Sequence, residues 1–483
     1  MNRPNIVFIL SDDQGPWAAG CYGNAEIRTP AIDRIAQTGM RFDNFFVATP
    51  VCSPSRATFL TGWIPSQHGV HDWIREGNVG ESAAAYLAGE VAYTDILADN
   101  GWVCGLSGKW HLGHSQLAQH GFSHWYAHQQ GGGPYNDAPM IRDSELITEP
   151  GYVTTAITND ALAFIDRHAD GDAPFYLGVH YTAPHSPWTG HPQEIVDSYD
   201  NCAFDSCPQE AIHPWAVGHG LSENCLGNRE MLKGYFAAVT AMDRDIGRIL
   251  DKLEERGLRE NTLVVFTSDN GFSCGHHGFW GKGNGTYPPN MYENSIKVPF
   301  VASHPSRIPA ESVQEGMVSA YDFMPTLLDY LGLPLPEGTN FPGQSALPLL
   351  LGADNTGRQE VVIYDEYGAT RMMRTEEWKY VHRYPDGFDD STELAEVLSS
   401  AEGPHELYDL ANDPDERTNL ADDPNQTERI GDLKQRLEDW YERYVVPERD
   451  GRNFAVTGTG QLRPVGGQWE NPATSKNQPF AQE

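Results

Sequence analysis

Basic side chains are scarce in this chain, and this property already narrows its possible partners. Its 483 residues include 33 Lys and Arg against 67 Asp and Glu, which gives a formal net charge of 33 − 67 = −34. Such a charge repels the phosphates of nucleic acids and the headgroups of anionic membranes, so we expect neither as a partner. A polyanionic substrate would be repelled as well, unless basic side chains are concentrated in its binding pocket.

Long hydrophobic runs are lacking too. The first apolar run, Ile6–Leu10, is far too short for the core of a signal peptide or for a transmembrane helix. Acidic residues follow it directly, which suits the end of a strand. The sequence therefore predicts no membrane segment and a cytoplasmic location.

Cysteine is infrequent, and the odd number and the spacing of its seven residues match no zinc motif. Three of them, Cys202, Cys207 and Cys225, crowd one segment together with His213 and His219. A metal knuckle is one interpretation of this segment. Ordinary thiols or a single disulfide are what we expect.

The chain has the composition of a globular protein, with 39% hydrophobic and 21% charged residues, and its length suggests two or three domains. Apolar, β-rich runs alternate with helical segments along most of the chain. The predicted strands are Asn5–Leu10, Phe175–His180, Leu263–Thr267 and Val298–Ser303, and the predicted helices are Pro30–Gln37, Tyr152–His168, Glu230–Arg256 and Tyr321–Leu331. This alternation indicates an α/β fold with a mostly parallel central sheet flanked by helices.

The pattern changes after about residue 345. A linker-like stretch, Leu349–Gln359, precedes three short β-rich runs and a helical segment. The runs are Val361–Tyr364, Thr370–Arg374 and Trp378–Arg383, and the helix is Thr427–Tyr444. We predict a larger N-terminal domain over residues 1–348, a smaller C-terminal α+β domain with an antiparallel sheet over 349–446, and a tail over 447–483.

Two acidic clusters follow predicted strands. Asp12 and Asp13 come directly after the first strand, and adjacent carboxylates repel each other unless a cation or a proton lies between them. Asp269 and Asn270 follow a later strand and offer the same kind of oxygen ligand. Each cluster alone is also compatible with a turn or a helix N-cap. Together they predict one Ca²⁺ or Mg²⁺ site at the ends of the strands.

The segment Cys52-Ser53-Pro54-Ser55-Arg56 has the features of a helix start. Ser53 suits the N-cap and Pro54 the first helical position. Cys52 then lies at a helix N-terminus, where backbone N–H groups favour an anion, and Arg56 lies one turn further on. A reactive thiol and a buried structural cysteine are both compatible with these residues alone.

The same segment carries a specific resemblance. Cys-x-Pro-x-Arg, followed by Ala-Thr-Phe-Leu-Thr-Gly, resembles the maturation signal of the type I, formylglycine-dependent sulfatases of the alkaline-phosphatase-like superfamily. The resemblance implies that a formylglycine-generating enzyme oxidises Cys52, and that the hydrated aldehyde supplies the nucleophile. It also implies one divalent metal, Ca²⁺ in the first place and Mg²⁺ in the second. The implied metal ligands are Asp12, Asp13, Cys52, Asp269 and Asn270.

Further motifs stand in the order that the family shows, over about residues 4 to 425. They are Gly108-Lys109-Trp110-His111, Ala183-Pro184-His185-Ser186-Pro187 and Gly281-Lys282-Gly283. By resemblance, Lys109, Lys282 and Arg56 stabilise the negative charge of the sulfate group. His111 would accept a proton as sulfate leaves, and His185 would protonate the leaving-group oxygen.

The substrate is less clearly indicated. His71, Trp73 and Arg75 follow the Cys52 helix and are predicted to line the pocket, with Arg75 against an acidic sugar; ordinary loop packing is the alternative. The segment at about 200–230 and the stretch Tyr287–Met291 look like additions near the pocket. We expect hydrolysis of a sulfate ester or sulfamate, with a mild preference for a sulfated carbohydrate.

Two other functions stay open from the sequence. One is a phosphonate monoester or phosphodiester hydrolase of the same superfamily. Asn270 argues against this function, because such relatives often have His at the corresponding position. The other is a binding protein for sulfated glycans in which Cys52 stays unmodified. The intact set of Lys109, His111, His185 and Lys282 argues against it.

Overall fold

The computed structural model of the protein describes residues 3–364, 370–384, 405–451 and 460–465. Its strands in chain order are β1 (Asn5–Ser11), β2 (Met40–Phe42), β3 (Phe45–Phe46), β4 (Val103–Lys109), β5 (Phe122–His128), β6 (Asn136–Arg142), β7 (Glu145–Tyr152), β8 (Phe175–His180), β9 (Thr262–Ser268), β10 (Ser273–Cys274), β11 (Trp280–Gly281), β12 (Phe300–Ser303), β13 (Ser312–Gln314), β14 (Val318–Ser319), β15 (Glu360–Tyr364), β16 (Thr370–Thr375), β17 (Trp378–Arg383) and β18 (Glu406–Asp409).

Ten of these strands form one sheet in the order β13-β2-β12-β9-β1-β8-β4-β5-β6-β7. Its centre is parallel: β1 pairs with β8 and β9, and β4 pairs with β8 and β5. Towards the edges, β12 and β6 pair with both of their neighbours in antiparallel fashion. The predicted α/β fold is confirmed, and the edge strands make the sheet mixed.

Helices cover both faces of this sheet. In chain order, the α-helices of the described residues are α1 (Pro30–Gln37), α2 (Cys52–Thr61), α3 (Pro65–His68), α4 (Tyr93–Asp99), α5 (Val153–His168), α6 (Gln193–Asp197), α7 (Gly220–Cys225), α8 (Arg229–Glu255), α9 (Glu293–Ile296), α10 (Phe323–Leu331), α11 (Leu347–Leu350) and α12 (Thr427–Tyr444). Successive residues of β1 enter different cores, because side chains alternate across a strand. Phe8 packs with residues of α2, α4 and α10, whereas Ile9 packs with residues of α1, α5 and α8.

The C-terminal part forms the predicted α+β unit. Strands β15 to β18 make an antiparallel sheet in sequence order. One face of this sheet packs against α12, and Tyr380 and Leu437 belong to the buried cluster between them. The other face packs against the larger part of the chain, in a buried cluster that includes Ile363, Met291 and Phe46. The boundaries at 348 and 446 stay predictions.

Much of the predicted tail, 447–483, lies outside the described residues. Two pieces of it are described, 447–451 and 460–465, and both contact the loop that follows α2 and α3. Gln461 forms an isolated bridge with Ile74, and its side chain accepts a hydrogen bond from the His71 N–H at 2.8 Å. Within the described ranges, the helices lack the combination of length and apolar surface that crossing a bilayer requires.

Candidate active site

The two acidic clusters meet at one edge of the sheet. Strands β1 and β9 are parallel neighbours in a register that pairs Ser11 with Ser268, so the residues that follow them leave the sheet side by side. Asp12, Asp13 and Asp269 are all buried, and ligand atoms of these three carboxylates lie within 4.8 Å of one another. The sheet thereby brings together residues that are more than 250 positions apart in the chain.

Asn270 completes this cluster. Its amide Nδ2 donates a hydrogen bond to Asp13 Oδ1 at 2.7 Å, which turns its Oδ1 the other way. That oxygen is buried and has no hydrogen-bond partner among the described residues. An unsatisfied amide oxygen beside three carboxylates is the hard-oxygen donor set that Ca²⁺ or Mg²⁺ prefers. The three carboxylates therefore fit a divalent cation, and Asn270 would join them with its amide rotated so that Oδ1 faces Asp13.

Cys52 lies at the N-terminus of a helix, as the sequence predicts, but the predicted cap is wrong and the helix begins at Cys52 itself. Val51 is the N-cap residue, Pro54 is the third helical residue, and the Ser53 hydroxyl accepts a hydrogen bond from Ile74 N–H at 3.1 Å. The Cys52 Sγ lies 3.5 Å from Asp12 Oδ1 and 2.7 Å from Lys282 Nζ. Burial, with the Asp12 charge, raises the pKa of the Cys52 thiol to about 12. The unmodified thiol is thus held protonated at neutral pH.

Three cations balance the three carboxylates. Lys109 Nζ lies 2.5 Å from Asp12 Oδ2, and Lys282 Nζ lies 2.6 Å from Asp13 Oδ1. Arg56 donates to Asp269 Oδ2 at 2.8 Å and to the Lys109 carbonyl at 2.9 Å. The formal charge of these side chains is 3 − 3 = 0, so a bound divalent cation would make the cluster positive and favour an anionic ester.

Burial and partner charges compete in setting the carboxylate pKa values. Burial alone would raise the pKa of Asp12, but Lys109 and His185 lower it below its usual value. The same competition, with Lys282 as the main cation, lowers the pKa of Asp13. For Asp269, burial and the Asp12 charge prevail, and its pKa is raised. The lysines thus keep Asp12 and Asp13 ionised although they are buried.

Two imidazoles face the same cavity in different states of hydrogen bonding. His111 Nε2 donates to the Ile74 carbonyl at 3.0 Å, which leaves its buried Nδ1 as an acceptor without a partner among the described residues. Burial, with Lys109 nearby, places the pKa of His111 well below its usual value. His185 instead donates from Nδ1 to the Ser186 carbonyl at 2.8 Å, and its Nε2 lies 3.8 Å from Asp13 Oδ2. His111 therefore presents a lone pair at Nδ1, whereas His185 presents Nε2 beside a carboxylate and carries an N–H there only in its doubly protonated form.

These groups border a cavity of about 450 Å³. Its walls include Cys52, Lys282, His111, His185, Trp73, Arg75, Asn78, Gln130, Gly131, Gly132, Trp188, His219, Leu221 and Asn284. Lys109 and Arg56 do not line the cavity; they lie behind the carboxylates and contact them from the protein side. Of the three cations predicted to bind sulfate, Lys282 thus lies at the cavity, whereas Lys109 and Arg56 support the acidic cluster.

The predicted substrate residues also divide. Trp73 and Arg75 line the cavity, and Arg75 is exposed. His71 does not line it: the ring is buried, and Nε2 donates to the Arg449 carbonyl at 2.9 Å. The interpretation of His71 as a substrate ligand is therefore wrong, because the chain folds this imidazole under the C-terminal segment. Ordinary loop packing describes His71 instead.

Of the two additions noted in the sequence, the 200–230 segment lines the cavity, and the stretch Tyr287–Met291 does not. His219, Gly220 and Leu221 of the 200–230 segment form part of its wall. Cys202, Cys207 and Cys225 are free thiols, so the segment contains no disulfide, and these cysteines and histidines form no metal cluster in the described part of the chain.

In the second addition, the Asn290 side chain donates to the carbonyls of Lys282 and Gly283 at 2.9 and 3.1 Å. Asn290 is a supporting residue of the Lys282 loop. Sequence reasoning missed it, because nothing in the local pattern indicates which loop its amide meets.

A buried acidic cluster at strand ends, a helix N-terminus that presents residue 52, and two differently bonded imidazoles define a metal-dependent hydrolase site for an anionic ester. The comparisons with known proteins make this class specific. The family model described as Sulfatase matches residues 4–333, and the model described as N-sulphoglucosamine sulphohydrolase, C-terminal, matches residues 275–443. The chain belongs to the sulfatase family, and the protein is a sulfuric ester hydrolase.

Curated relatives and solved structures agree with this assignment. The chain is 28% identical to an N-acetylglucosamine-6-O-sulfatase of Bacteroides thetaiotaomicron, over 80% of this chain and 79% of that protein. It is 30% identical to human arylsulfatase A, over 84% of this chain and 81% of that protein. A solved structure of a protein in complex with its substrate D-glucosamine-2-N,6-O-disulfate superimposes with a TM-score of 0.76 at 26% identity, covering 92% of this chain and 98% of that one.

Proposed function

We propose that the protein hydrolyses a sulfate ester of a sulfated saccharide, with residue 52 matured to formylglycine and one divalent cation, Ca²⁺, at the acidic cluster. The observation that carries the proposal is the position of Cys52. It opens α2 at the wall of the cavity, between Lys282 and Asp12, and both imidazoles face the same space.

Maturation to formylglycine would replace the Cys52 thiol, which its buried surroundings keep protonated. The aldehyde hydrate would supply a hydroxyl as the nucleophile, and a formylglycine-generating enzyme is the partner that this requires. The cation would be held by Asp12, Asp13, Asp269, Asn270 and residue 52, and it would supply Lewis-acid stabilisation of negative charge on the sulfate. Lys282 faces the cavity and would bind a sulfate oxygen, while Arg56 and Lys109 hold the carboxylates in place.

The two imidazoles suit opposite proton transfers. His111 has its Nε2–H committed to the Ile74 carbonyl, so its Nδ1 is the atom that would accept a proton as sulfate is released. His185 has its Nδ1–H committed to the Ser186 carbonyl, so Nε2 is the atom that would carry the second proton of the imidazolium and pass it to the leaving oxygen.

The outer walls support a saccharide rather than a purely apolar substrate. Trp73 and Trp188 offer flat rings, while Asn78, Gln130 and Asn284 offer amides that can bond hydroxyl groups. Relatives named for amino-sugar sulfates are consistent with this chemistry. Arg75 is exposed at this wall and forms no ion pair in the described residues, so we assign it to a further anionic group of the saccharide.

The test combines peptide mass with turnover. The protein is produced together with a formylglycine-generating enzyme, and the mass of the Cys52 peptide is measured alongside sulfate release from 4-nitrophenyl sulfate and N-acetylglucosamine 6-sulfate. We expect the aldehyde or hydrate mass and a loss of at least a hundredfold in rate for Cys52→Ala. A thiol mass in the active protein, or an effect of Cys52→Ala below tenfold, would remove the nucleophile assignment.

The phosphonate monoester alternative is tested with the same preparation. A phenyl phosphonate monoester turned over with a higher kcat/KM than every sulfate ester would favour that reaction. The cytoplasmic location stays a prediction that this experiment does not address.

A further inference from the structure

Three consecutive glycines pass over three imidazoles beside the cavity. Gly131, Gly132 and Gly133 lie in the connection between β5 and β6, and the first two line the cavity. Each glycine faces a different ring: Gly131 faces His111, Gly132 faces His185, and Gly133 faces His128. The sequence shows the triple glycine, but only the fold shows that two of its members lie against the rings proposed to move protons.

The distance from each glycine to the facing imidazole leaves little room for a side chain. A Cβ on Gly131 would lie 2.2 Å from His111 Cε1 and 2.4 Å from its Nε2. A Cβ on Gly132 would lie 3.0 Å from His185 Nδ1 and Cε1, and one on Gly133 would lie 3.2 Å from His128 Nε2. These three glycines are not among the described residues with positive φ, so any strain that a methyl group causes there comes from steric contact and not from backbone conformation.

The rings have little freedom to yield. His111 is 3% exposed and tied through Nε2 to the Ile74 carbonyl, and His185 is tied through Nδ1 to the Ser186 carbonyl. A methyl group on Gly131 must therefore displace either the His111 ring or the glycine segment itself. A methyl group on Gly132 requires the His185 ring or the glycine segment to move by only a few tenths of an ångström.

The glycine segment is also anchored at both ends. Before it, Gln129 N–H donates to the Pro139 carbonyl at 2.9 Å, and Gln130 N–H donates to His128 Nδ1 at 3.1 Å. After it, the buried Tyr135 hydroxyl donates to the carbonyl of His185 at 2.8 Å. The segment is therefore held against the backbone that carries one of the two imidazoles.

We propose that Gly131 and Gly132 are positioning residues for the reaction: Gly131 fixes the His111 ring for sulfate release, and Gly132 fixes the His185 ring for protonation of the leaving group. The inference rests on the proposed function, since it takes the roles of the two histidines from there. Gly133 contacts His128, which does not line the cavity, and it serves as the internal comparison.

The experiment uses the formylglycine form of three variants, Gly131→Ala, Gly132→Ala and Gly133→Ala. The substrates are aryl sulfates of increasingly poor leaving groups: 4-nitrophenyl, phenyl and 4-methylphenyl sulfate. Melting temperatures are recorded for each variant. Wild-type turnover of 4-nitrophenyl sulfate is measured first, so that failure of the proposed function is seen separately as an inactive wild type.

The expected pattern differs between the variants. Gly131→Ala lowers kcat on 4-nitrophenyl sulfate by about 100-fold, because a catalytic group displaced by about 1 Å loses roughly that factor, and the loss does not grow with poorer leaving groups, because sulfate release follows their departure. Gly132→Ala lowers kcat by about threefold or less on 4-nitrophenyl sulfate and at least tenfold on 4-methylphenyl sulfate, because only the poor leaving group needs the proton. Gly133→Ala stays within about twofold of wild type.

A general packing defect would give another result. If an active wild type is found and the three variants lose activity equally, or if Gly132→Ala shows no dependence on the leaving group, the positioning roles are overturned. Should Gly131→Ala fail to fold, the contrast between Gly132→Ala and Gly133→Ala still decides the matter for His185.

Discussion

Lys109 is the side chain whose replacement tests the charge balance of the acidic cluster most directly. Its side chain is fully buried, and Nζ lies 2.5 Å from Asp12 Oδ2. Lys109→Met keeps most of the length and the apolar stem but removes the charge. The cluster then carries two cations against three carboxylates, so one buried carboxylate loses its compensation.

The expected magnitude follows from the burial of both partners. Breaking a buried ion pair by removing one member costs about 3–5 kcal/mol. The unfolding entropy is about 2.1 cal/mol/K per residue, so roughly 350 cooperatively unfolding residues contribute about 0.7 kcal/mol/K. Without divalent cations, we therefore expect Lys109→Met to melt about 4–7 °C below the wild type.

Calcium should reverse part of this loss. A cation at 100 times its Kd stabilises the folded protein by about 2.7 kcal/mol, which is about 4 °C by the same conversion. Because the variant cluster has an excess negative charge, we expect calcium to raise its Tm by more than it raises that of the wild type. The assay is thermal unfolding in EDTA and in Ca²⁺, with Lys434→Met on α12 as a control that stays within about 1 °C of wild type.

Two outcomes would refute the reasoning. Lys109→Met melting within about 1 °C of the wild type in EDTA would show that no buried charge depends on this lysine. An equal calcium-induced rise in Tm for both proteins, or none in either, would show that the cation does not bind at the carboxylates that Lys109 neutralises.

Three further predictions concern other parts of the molecule. His185→Ala should lower kcat at least tenfold more on phenyl sulfate than on 4-nitrophenyl sulfate, because only the poor leaving group needs a proton; equal losses would remove its acid role. Arg75→Gln should raise the KM for D-glucosamine-2-N,6-O-disulfate about tenfold and leave the KM for 4-nitrophenyl sulfate unchanged. The control Arg167→Gln, at an exposed arginine, should change neither KM. A Ki or KM within about twofold of wild type for every doubly anionic sugar tested would contradict the assignment of Arg75. Burial, together with the Glu293 charge, raises the pKa of Glu416 from 4.5 to about 7. The folded state therefore binds the Glu416 proton more tightly than the unfolded state does. The contribution of this proton to the free energy of unfolding is lost as the pH rises from about 4.5 to about 7. Glu416→Gln should therefore show a flatter decline of Tm over this range, and an unchanged decline would place the titration elsewhere.

The local parts of the site were predictable from the sequence. Each proposed pair of metal ligands directly follows a strand, and a run of apolar residues ending in acidic ones is visible without any tertiary information. A helix start next to Cys52 was visible too, although its first residue and its capping residue were not. Ser53 has the chemistry of an N-cap, but its hydroxyl accepts a hydrogen bond from Ile74 N–H, a competing partner that only the fold brings close.

Residues whose roles depend on distant contacts were not predictable in the same way. His71 follows the α2 motif in a segment that does reach the cavity, yet its backbone N–H meets Gln461, 390 positions later, and the ring is buried. Asn290 supports the Lys282 loop through two carbonyls, and nothing in its neighbourhood in the sequence marks that contact.

The sequence by itself determined the chemistry of this protein: the oxygen ligands, the residue at the helix start, the lysines and histidines, and the alternation of strands and helices. These are properties of residue types and of short spacings, which the chain carries before it folds. The tertiary structure alone decided which side each group faces. It placed Arg56 and Lys109 behind the carboxylates, Lys282 at the cavity, and Gly131 and Gly132 against two imidazoles. Such choices depend on strand register and on packing between segments far apart in the chain, which local patterns do not encode.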